Sequence, residues 1–311
     1  MPEIKPLSEE LQKIAIDELG EVSSRIDQYL EDFRSWIELQ PHLKIRMDDQ
    51  YLIQFLRGSK YSLEKAKQKL TYTCLIKTKF PKMFRLTNID DKIFRKMVSA
   101  GSLLPLPIPL YGNGPRIILE RFVYPITTNY NIENYVQLMC ALHEVLAFDD
   151  PHAGVCGLVY IMDFTKLQKD HLAGLTITLL KFLISLKEKA LAMRLRAIYL
   201  INLKPYAEQI LKMGLSIMPE ALKKKMIVCG KDLSSLPESL PLKYLPRDYG
   251  GENSSLDELR EDHIKMWEKY REFFEMNSCF DFDEKLFMGE PICGDEVQFG
   301  AGGSFRKIEV D

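Results

Sequence analysis

The sequence predicts an α/β protein in which an all-helical N-terminal region precedes a mainly parallel sheet covered on both faces. Three observations carry this. The first ninety residues repeat apolar side chains at helical intervals and show no strand signal. From about residue 100, short apolar runs alternate with long helical patterns. In two of those runs, Leu158–Met162 and Ala197–Ile201, neither alternation is polar. Strands apolar on both faces belong to sheets buried on both sides.

The elements follow in order. From Ser8 to about Leu39, residues Leu11, Ile14, Leu19, Val22, Ile26, Leu30, Phe33 and Ile37 form a helical pattern that breaks near Gly20 and ends at Pro41. Asp48 or Asp49 caps a helix holding Tyr51, Leu52, Phe55 and Leu56, which Gly58 stops. Ser62 caps the next, SLEKAKQKLTYTCLIKTKF. Strands are expected at Arg116–Val123, Gly157–Asp163, Arg196–Asn202 and Lys225–Cys229, with helices at Ile132–Phe148 and Asp170–Lys189 between them.

Pro205 suits a first helical position and opens a short helix with two apolar stripes. One holds Tyr206, Ile210, Met213 and Ile217, the other Leu211, Leu215 and Met218. A surface helix needs one stripe. Two mean a fully buried helix, a partner contact, or a lid over an apolar cavity that can also meet a membrane. After Gly251, a polar break leads to an amphipathic helix with Ile264, Trp267, Tyr270, Phe273 and Phe274, and the glycine-rich last thirty residues read as a loosely packed tail. Domain limits are placed at 1–90, 91–255 and 256–311.

Composition narrows the function. Apolar residues make up 46% and charged residues 28%, ordinary for a soluble domain. A net charge of -2 gives no global pull toward nucleic acid or anionic lipid, so such binding needs a local patch. The start, MPEIKPLSEEL, lacks the pattern of a secretory signal, and no apolar run approaches the roughly 20 residues of a spanning helix. The expected setting is cytoplasmic, with Cys74, Cys140, Cys156, Cys229, Cys279 and Cys293 reduced. No His or Cys falls at a ligand spacing, so no metal is expected.

Catalytic motifs are missing: there is no G-x-S-x-G elbow and no G-x-x-x-x-G-K-[ST] loop. Gly112–Pro115 precedes a strand and reads as a turn. Asp149-Asp150-Pro151-His152 reads as a solvated loop after a helix. His143 is a polar member of an apolar helix face, satisfied in the core or touching a ligand. Asp163, at a strand end, is expected to cap a loop or pair with a base. The chain is therefore read as a non-enzyme without a cofactor.

Two basic clusters stand out. Arg194 and Arg196, two apart at a strand start, point to one face. Lys223, Lys224 and Lys225 follow the two-striped helix; alone they read as a solvated run. Beside that helix the combination favours an anionic membrane surface, where each nearby cation contributes about 1 kcal/mol.

These blocks resemble the CRAL-TRIO lipid-binding family, in its alpha-tocopherol transfer and cellular retinaldehyde-binding branch. The resemblance rests on DDQYLIQFLRGSKYSLEKA (48–66), GLVYIMDFTKL (157–167), RAIYLINLKPYAEQIL (196–211) and KKKMIVCGKDLSSLPESLPLKYLPRDYGG (223–251), and spans nearly the whole chain. It implies an α/β/α sandwich enclosing an apolar pocket, with a lid at Pro205–Met218. It also implies a phosphoinositide-binding patch, which falls here on Arg57, Arg194, Arg196, Lys223 and Lys225. Where relatives often carry histidines after the basic turn, this chain has Val228 and Cys229.

The expected pocket lining, from inward faces of sheet and helices, is Met139, Leu142, His143, Leu146, Val159, Ile161, Ile177, Leu180, Ile184, Ile198, Leu200, Ile210, Met213 and Ile217. The expected protein is a monomeric carrier of one hydrophobic small molecule, exchanging it at phosphoinositide-containing membranes without binding nucleic acid. Tocopherol, a retinoid, a carotenoid, a terpenoid and a phospholipid all remain open as ligands. An interaction module using the apolar helix is the alternative.

Overall fold

The computed structural model describes residues 4–123, 131–172, 176–229, 233 and 236–287. Helix α1 (Glu9–Ile14) is capped by the Ser8 hydroxyl, which accepts from the Leu11 N–H, and runs into a single π-helical turn, Ala15–Leu19. Gly20, at φ +73°, ends it where the sequence predicts a break. Then come α2 (Ile26–Glu38), β1 (Leu43–Lys44), α3 (Asp49–Gly58), α4 (Leu63–Lys79), α5 (Pro81–Phe84) and α6 (Lys92–Ala100). The Asp48 carboxylate caps α3 by accepting from the Tyr51 N–H at 2.9 Å. Ile26, Leu30, Phe33 and Ile37 bury one stripe of α2 against α3 and α4.

The second half holds β2 (Leu103–Pro105), β3 (Arg116–Arg121), α7 (Ile132–Asp149), α8 (Pro151–Cys156), β4 (Leu158–Asp163), α9 (Ile177–Lys189), β5 (Leu195–Ile201), α10 (Pro205–Ile217), α11 (Glu220–Lys223), β6 (Met226–Val228), α12 (Leu256–Glu268), α13 (Arg271–Glu275) and β7 (Asp281–Phe282). The five-stranded sheet has order β2-β3-β4-β5-β6; β2 pairs antiparallel with β3 and the other pairs are parallel. The α/β expectation therefore holds, with β2 an antiparallel edge that the sequence reading missed.

The pleat sorts the apolar strands into two cores. Ile118, Leu158, Tyr160, Ile198 and Leu200 face α7, where Leu138, Ala141, Leu142 and Val145 are buried with Trp267 and Phe274. Ile117, Leu119, Val159, Ile161, Tyr199 and Ile201 face the opposite way, onto Leu240, Tyr244, Leu245 and Leu259.

Three local expectations need correction. Asp149–His152 is not a solvated loop. Asp150 caps α8 through the Ala153 N–H at 3.0 Å and accepts from Arg116 Nε at 2.5 Å, while Asp149 accepts from the Tyr270 hydroxyl. Pro151 at the first turn supplies the helical φ. The C-terminal region is not loose throughout: β7 pairs antiparallel with β1, and Phe280 and Phe282 are buried in the core of α2–α4. The glycine-rich stretch from residue 288, with Cys293, lies outside the described residues. The predicted helix at Asp170–Lys189 begins instead at Ile177, where the Thr176 hydroxyl accepts from the Leu179 N–H.

Candidate ligand-binding and membrane-docking site

Helix α10 sets the site. Its N-terminus follows β5 directly, and Pro205 occupies its first turn. Ala207 is buried, and Tyr206, Leu211, Ile217 and Met218 pack partly buried against the core beneath α7. Its mid-helix glycine lets α10 lie close on α9: a Cβ at Gly214 would sit 3.4 Å from Leu180 Cδ2. Beside it, an apolar recess of about 720 Å³, open mouth included, is lined by Leu200, Leu211, Leu215, Ser216, Lys223, Met226 and Val228. Leu200 and Val228 are register partners on β5 and β6, so the floor is the sheet edge and the wall is α10. Lys223 stands at the rim, where its amine pairs with Glu220 at 2.6 Å.

A second cavity lies between α3 and α4 on one side and α7 and the end of α9 on the other. Phe55, Ile76, Met139, Cys140, Leu183 and Leu186 make its apolar lining. A polar seam crosses it: Lys77 Nζ donates to Glu144 Oε2 at 2.7 Å, and Asn277 Nδ2 donates to the same oxygen at 3.1 Å. His143 also borders it and hydrogen-bonds to the Tyr160 hydroxyl. Burial, reinforced by the Glu144 charge, pushes the Cys140 thiol well above its ordinary range, which leaves it a poor nucleophile.

The sequence-predicted lining is thus divided. Leu142, Leu146, Ile184, Ile198 and Leu200 share one core, with Met139, Leu180 and Ile217 packed against it. His143 and Met139 border the cavity between the helices. Val159 and Ile161 are corrected: they point to the opposite face of the sheet, because side chains alternate along a strand and β4 is in register Tyr160 to Ile198 with β5. Ile177 is corrected too, being 41% exposed at the start of α9. Met213 is half-buried on α10; the Ile210 side chain lies outside the described residues. The recess residues Leu211, Leu215, Met226 and Val228 were not singled out as lining. The second apolar stripe of α10 was the signal for the first two.

The predicted anion-binding residues are also divided. Arg57 is not the exposed cation that a surface patch calls for: it is buried, and its Nε donates to Glu21 Oε2 at 2.9 Å, so its charge is already paired. The Tyr61 hydroxyl donates to the same carboxylate at 2.7 Å. Arg194 donates to Glu18 at 2.8 Å and to the Val155 carbonyl; Arg196 donates to Glu18 and, at 2.7 Å, to the Cys156 carbonyl. Burial works against ionisation of Glu18, but hydrogen bonds and charge from Arg196 and Arg194 prevail and hold its carboxyl below the ordinary range. The Ile198 N–H donates to the Lys225 carbonyl at 2.7 Å, so the lysine turn lies at the same end of the sheet as Arg196.

Asp163 behaves as expected. Its Oδ1 accepts from Thr165 and from Asn202 Nδ2 at 2.9 Å, and its Oδ2 accepts from the Tyr249 hydroxyl at 2.7 Å, so it ties three loops together. Among the described residues, no group of three or more His, Cys, Asp or Glu could hold a metal ion, and no helix is long and apolar enough to cross a membrane.

Residues 113–251 match the CRAL/TRIO domain family, and residues 22–94 match the Pinta-like UBA domain. The chain is 24% identical over 253 residues to the alpha-tocopherol transfer protein-like protein of Homo sapiens, covering 81% of this chain and 72% of that one. It is 22% identical over 246 residues to clavesin-1 of Pongo abelii, covering 79% and 69%. Among solved structures, that of Sfh5 superposes with a TM-score of 0.46 at 12% identity, covering 86% of this chain and 98% of that one.

Proposed function

We propose that this chain, a CRAL/TRIO protein, is a carrier that holds one hydrophobic small molecule and delivers it at membrane surfaces. The relatives point to lipid binding and transfer in general; one of them is named for tocopherol transfer. The observation that carries the reading is the apolar recess between α10 and the sheet edge, with Leu215 on one wall and Met226 and Val228 on the floor. Each 100 Å² of ligand surface covered there contributes about 2.5 kcal/mol. Such a gain lasts only while water is kept out, which gives a cover such as α10 its purpose. Transfer then requires α10 to move, and a half-buried helix is suited to moving.

Membrane docking belongs to the same proposal. The lysine turn joins β5 at Ile198, two residues from Arg196, so Lys223 and Lys225 are proposed to act with Arg194 and Arg196 on a phosphoinositide headgroup. The reading calls for no catalytic step; burial raises the thiols of Cys74 and Cys156 to about 12 and about 11, which leaves those two poor nucleophiles. The carrier is proposed to be a cytoplasmic monomer that associates with membranes peripherally.

The test is solvent extraction of the purified protein followed by mass spectrometry. A hydrophobic molecule recovered near one per chain, and lost in Leu215→Asp, is the expected result. A protein that purifies empty and takes up no hydrophobic probe from vesicles would overturn the carrier reading in favour of an interaction module using α10.

A further inference from the structure

Two glutamates three residues apart hold all three arginines of the basic cluster. Glu21 holds Arg57, and Glu18 holds both Arg194 and Arg196. The two clasps differ in kind. The Glu21 side chain is fully buried and accepts from Arg57, from the Tyr61 hydroxyl and from Gln12 Nε2 at 3.0 Å. That group is locked. The Glu18 side chain is 42% exposed, and its carboxylate lies between two guanidinium groups whose side chains also reach solvent. Water and ions can compete for it.

The backbone around Glu18 is also distinct. It lies in the π-helical turn Ala15–Leu19, closed by Gly20. Such turns are rare. The turn sits on a small satellite core, in which Leu11, Ala15 and Leu19 meet Val155 and Cys156 of α8. Ile16, in the same turn, and Val22, just after it, are large apolar residues left 49% and 43% exposed. Exposed apolar side chains on a segment that pairs with cations are what a lipid interface covers and what a soluble anion leaves in water.

We propose that Glu18 is an internal stand-in for a membrane phosphomonoester headgroup: the segment from Ser8 to Glu21 straps the Arg194–Arg196 pair shut, and an anionic lipid opens it by displacing the Glu18 carboxylate. A phosphomonoester carries about 1.5 to 2 negative charges and three acceptor oxygens, against one charge and two oxygens on Glu18, so it outcompetes the carboxylate for two forked donors. Arg57 stays with Glu21 and anchors the strap while the Glu18 end lifts. This rests on the membrane-docking part of the proposed function and adds its regulation.

The experiment compares three proteins in vesicle sedimentation at one salt concentration: the parent, Glu18→Gln, and Arg194→Ala/Arg196→Ala. Vesicles contain phosphatidylcholine alone, with phosphatidylserine, or with phosphatidylinositol bisphosphate; soluble inositol trisphosphate is added as a competitor. Removing two partly exposed ion pairs should tighten Glu18→Gln binding to the bisphosphate vesicles by roughly three- to ten-fold, and the double arginine variant should lose that binding. In the parent, those vesicles should also speed amide exchange of residues 15–20, and soluble inositol trisphosphate should compete weakly.

If the parent needs both arginines for vesicle binding but Glu18→Gln binds no better and residues 15–20 stay protected, the strap is wrong and docking stands. If the double arginine variant binds as the parent does, the docking reading and the strap both fail. Competition by inositol trisphosphate as strong as that of the vesicles would overturn the lipid as occupant in favour of a soluble phosphate.

Discussion

Replacing Gly157 by alanine should destabilise the centre of the sheet, and its cost can be worked from two separate terms. Gly157 stands between α8 and β4 at φ +94° and ψ -162°, a region essentially reserved for glycine. Holding a side-chain-bearing residue there costs roughly 1–3 kcal/mol. A Cβ would also lie 2.3 Å from the Arg194 carbonyl oxygen, 0.7 Å inside the 3.0 Å that Cβ atoms keep. That neighbour is backbone, already accepting from the Leu158 N–H at 2.8 Å, so it cannot swing away. Overpacking of this kind adds roughly 1–3 kcal/mol, for a total of about 4. The assay is urea unfolding followed by far-UV circular dichroism, with Gly154→Ala as the control. Nothing lies within 4 Å of a Cβ at Gly154, which is in α8, so its substitution should be neutral or gain up to about 1 kcal/mol. A Gly157→Ala protein with the parent's midpoint, or a Gly154→Ala protein that loses as much, would refute the reasoning.

Two further outcomes follow from the structure. A Cβ at Gly214 meets only side-chain ends, Leu180 Cδ2 at 3.4 Å and Met218 Cε at 3.7 Å, so Gly214→Ala should stiffen α10 by about 1 kcal/mol. Vesicle-to-vesicle transfer should slow while the extracted ligand stays stoichiometric; unchanged transfer would mean that α10 does not move. His263 is buried, and burial pushes its pKa down to about 3, so it stays neutral in the native state while the unfolded chain takes up a proton below about 6.5. Stability should therefore be complete above pH 6.5 and fall by up to about 1.4 kcal/mol per pH unit as pH drops toward 3, His42 acting in the same direction. Urea midpoints at pH 7.5 and 5.5 that coincide would show that His263 is solvated.

Much of the fold was readable because the local signals agree with one another. Asp48 and Gly20 act where the sequence places them, and β4 and β5 fall within a residue of expectation. What escaped was information that a one-dimensional pattern does not hold. When both alternations of a strand are apolar, period two no longer says which face looks inward, and Val159 and Ile161 were assigned to the wrong side for that reason. The β1–β7 pair has two residues a strand and joins distant parts of the chain, too short for any periodicity. The cavity beside Lys77 and Glu144 is made by two regions meeting, and neither sequence shows it alone. The arginines are expected as anion ligands, but Glu18 and Glu21, lying in an ordinary acidic stretch, give no sign in the sequence that they already hold them.

The burial of the two-striped helix bears on the readings that the sequence leaves open. A fully buried helix would have side chains like those of α7, where Leu138, Ala141, Leu142 and Val145 have at most 1% of their surface exposed. In α10, by contrast, Leu211, Met213, Leu215 and Ile217 are all half-buried. The stripes share the main core, on which Tyr206 and Ile217 of one and Leu211 and Met218 of the other rest, and Leu211 and Leu215 of the second also face the recess above β5 and β6. Half-burial on both stripes is a poor arrangement for a core element, since each exposed apolar surface forgoes about 25 cal/mol per Å². It is a sound arrangement for a cover that must leave one apolar environment for another. Filling the recess with a ligand, or laying α10 on a bilayer, would bury what the empty state leaves in water, and both would draw on the same leucines. Competition between those two uses would couple docking to release, with the cations at the foot of the helix bringing the membrane to it.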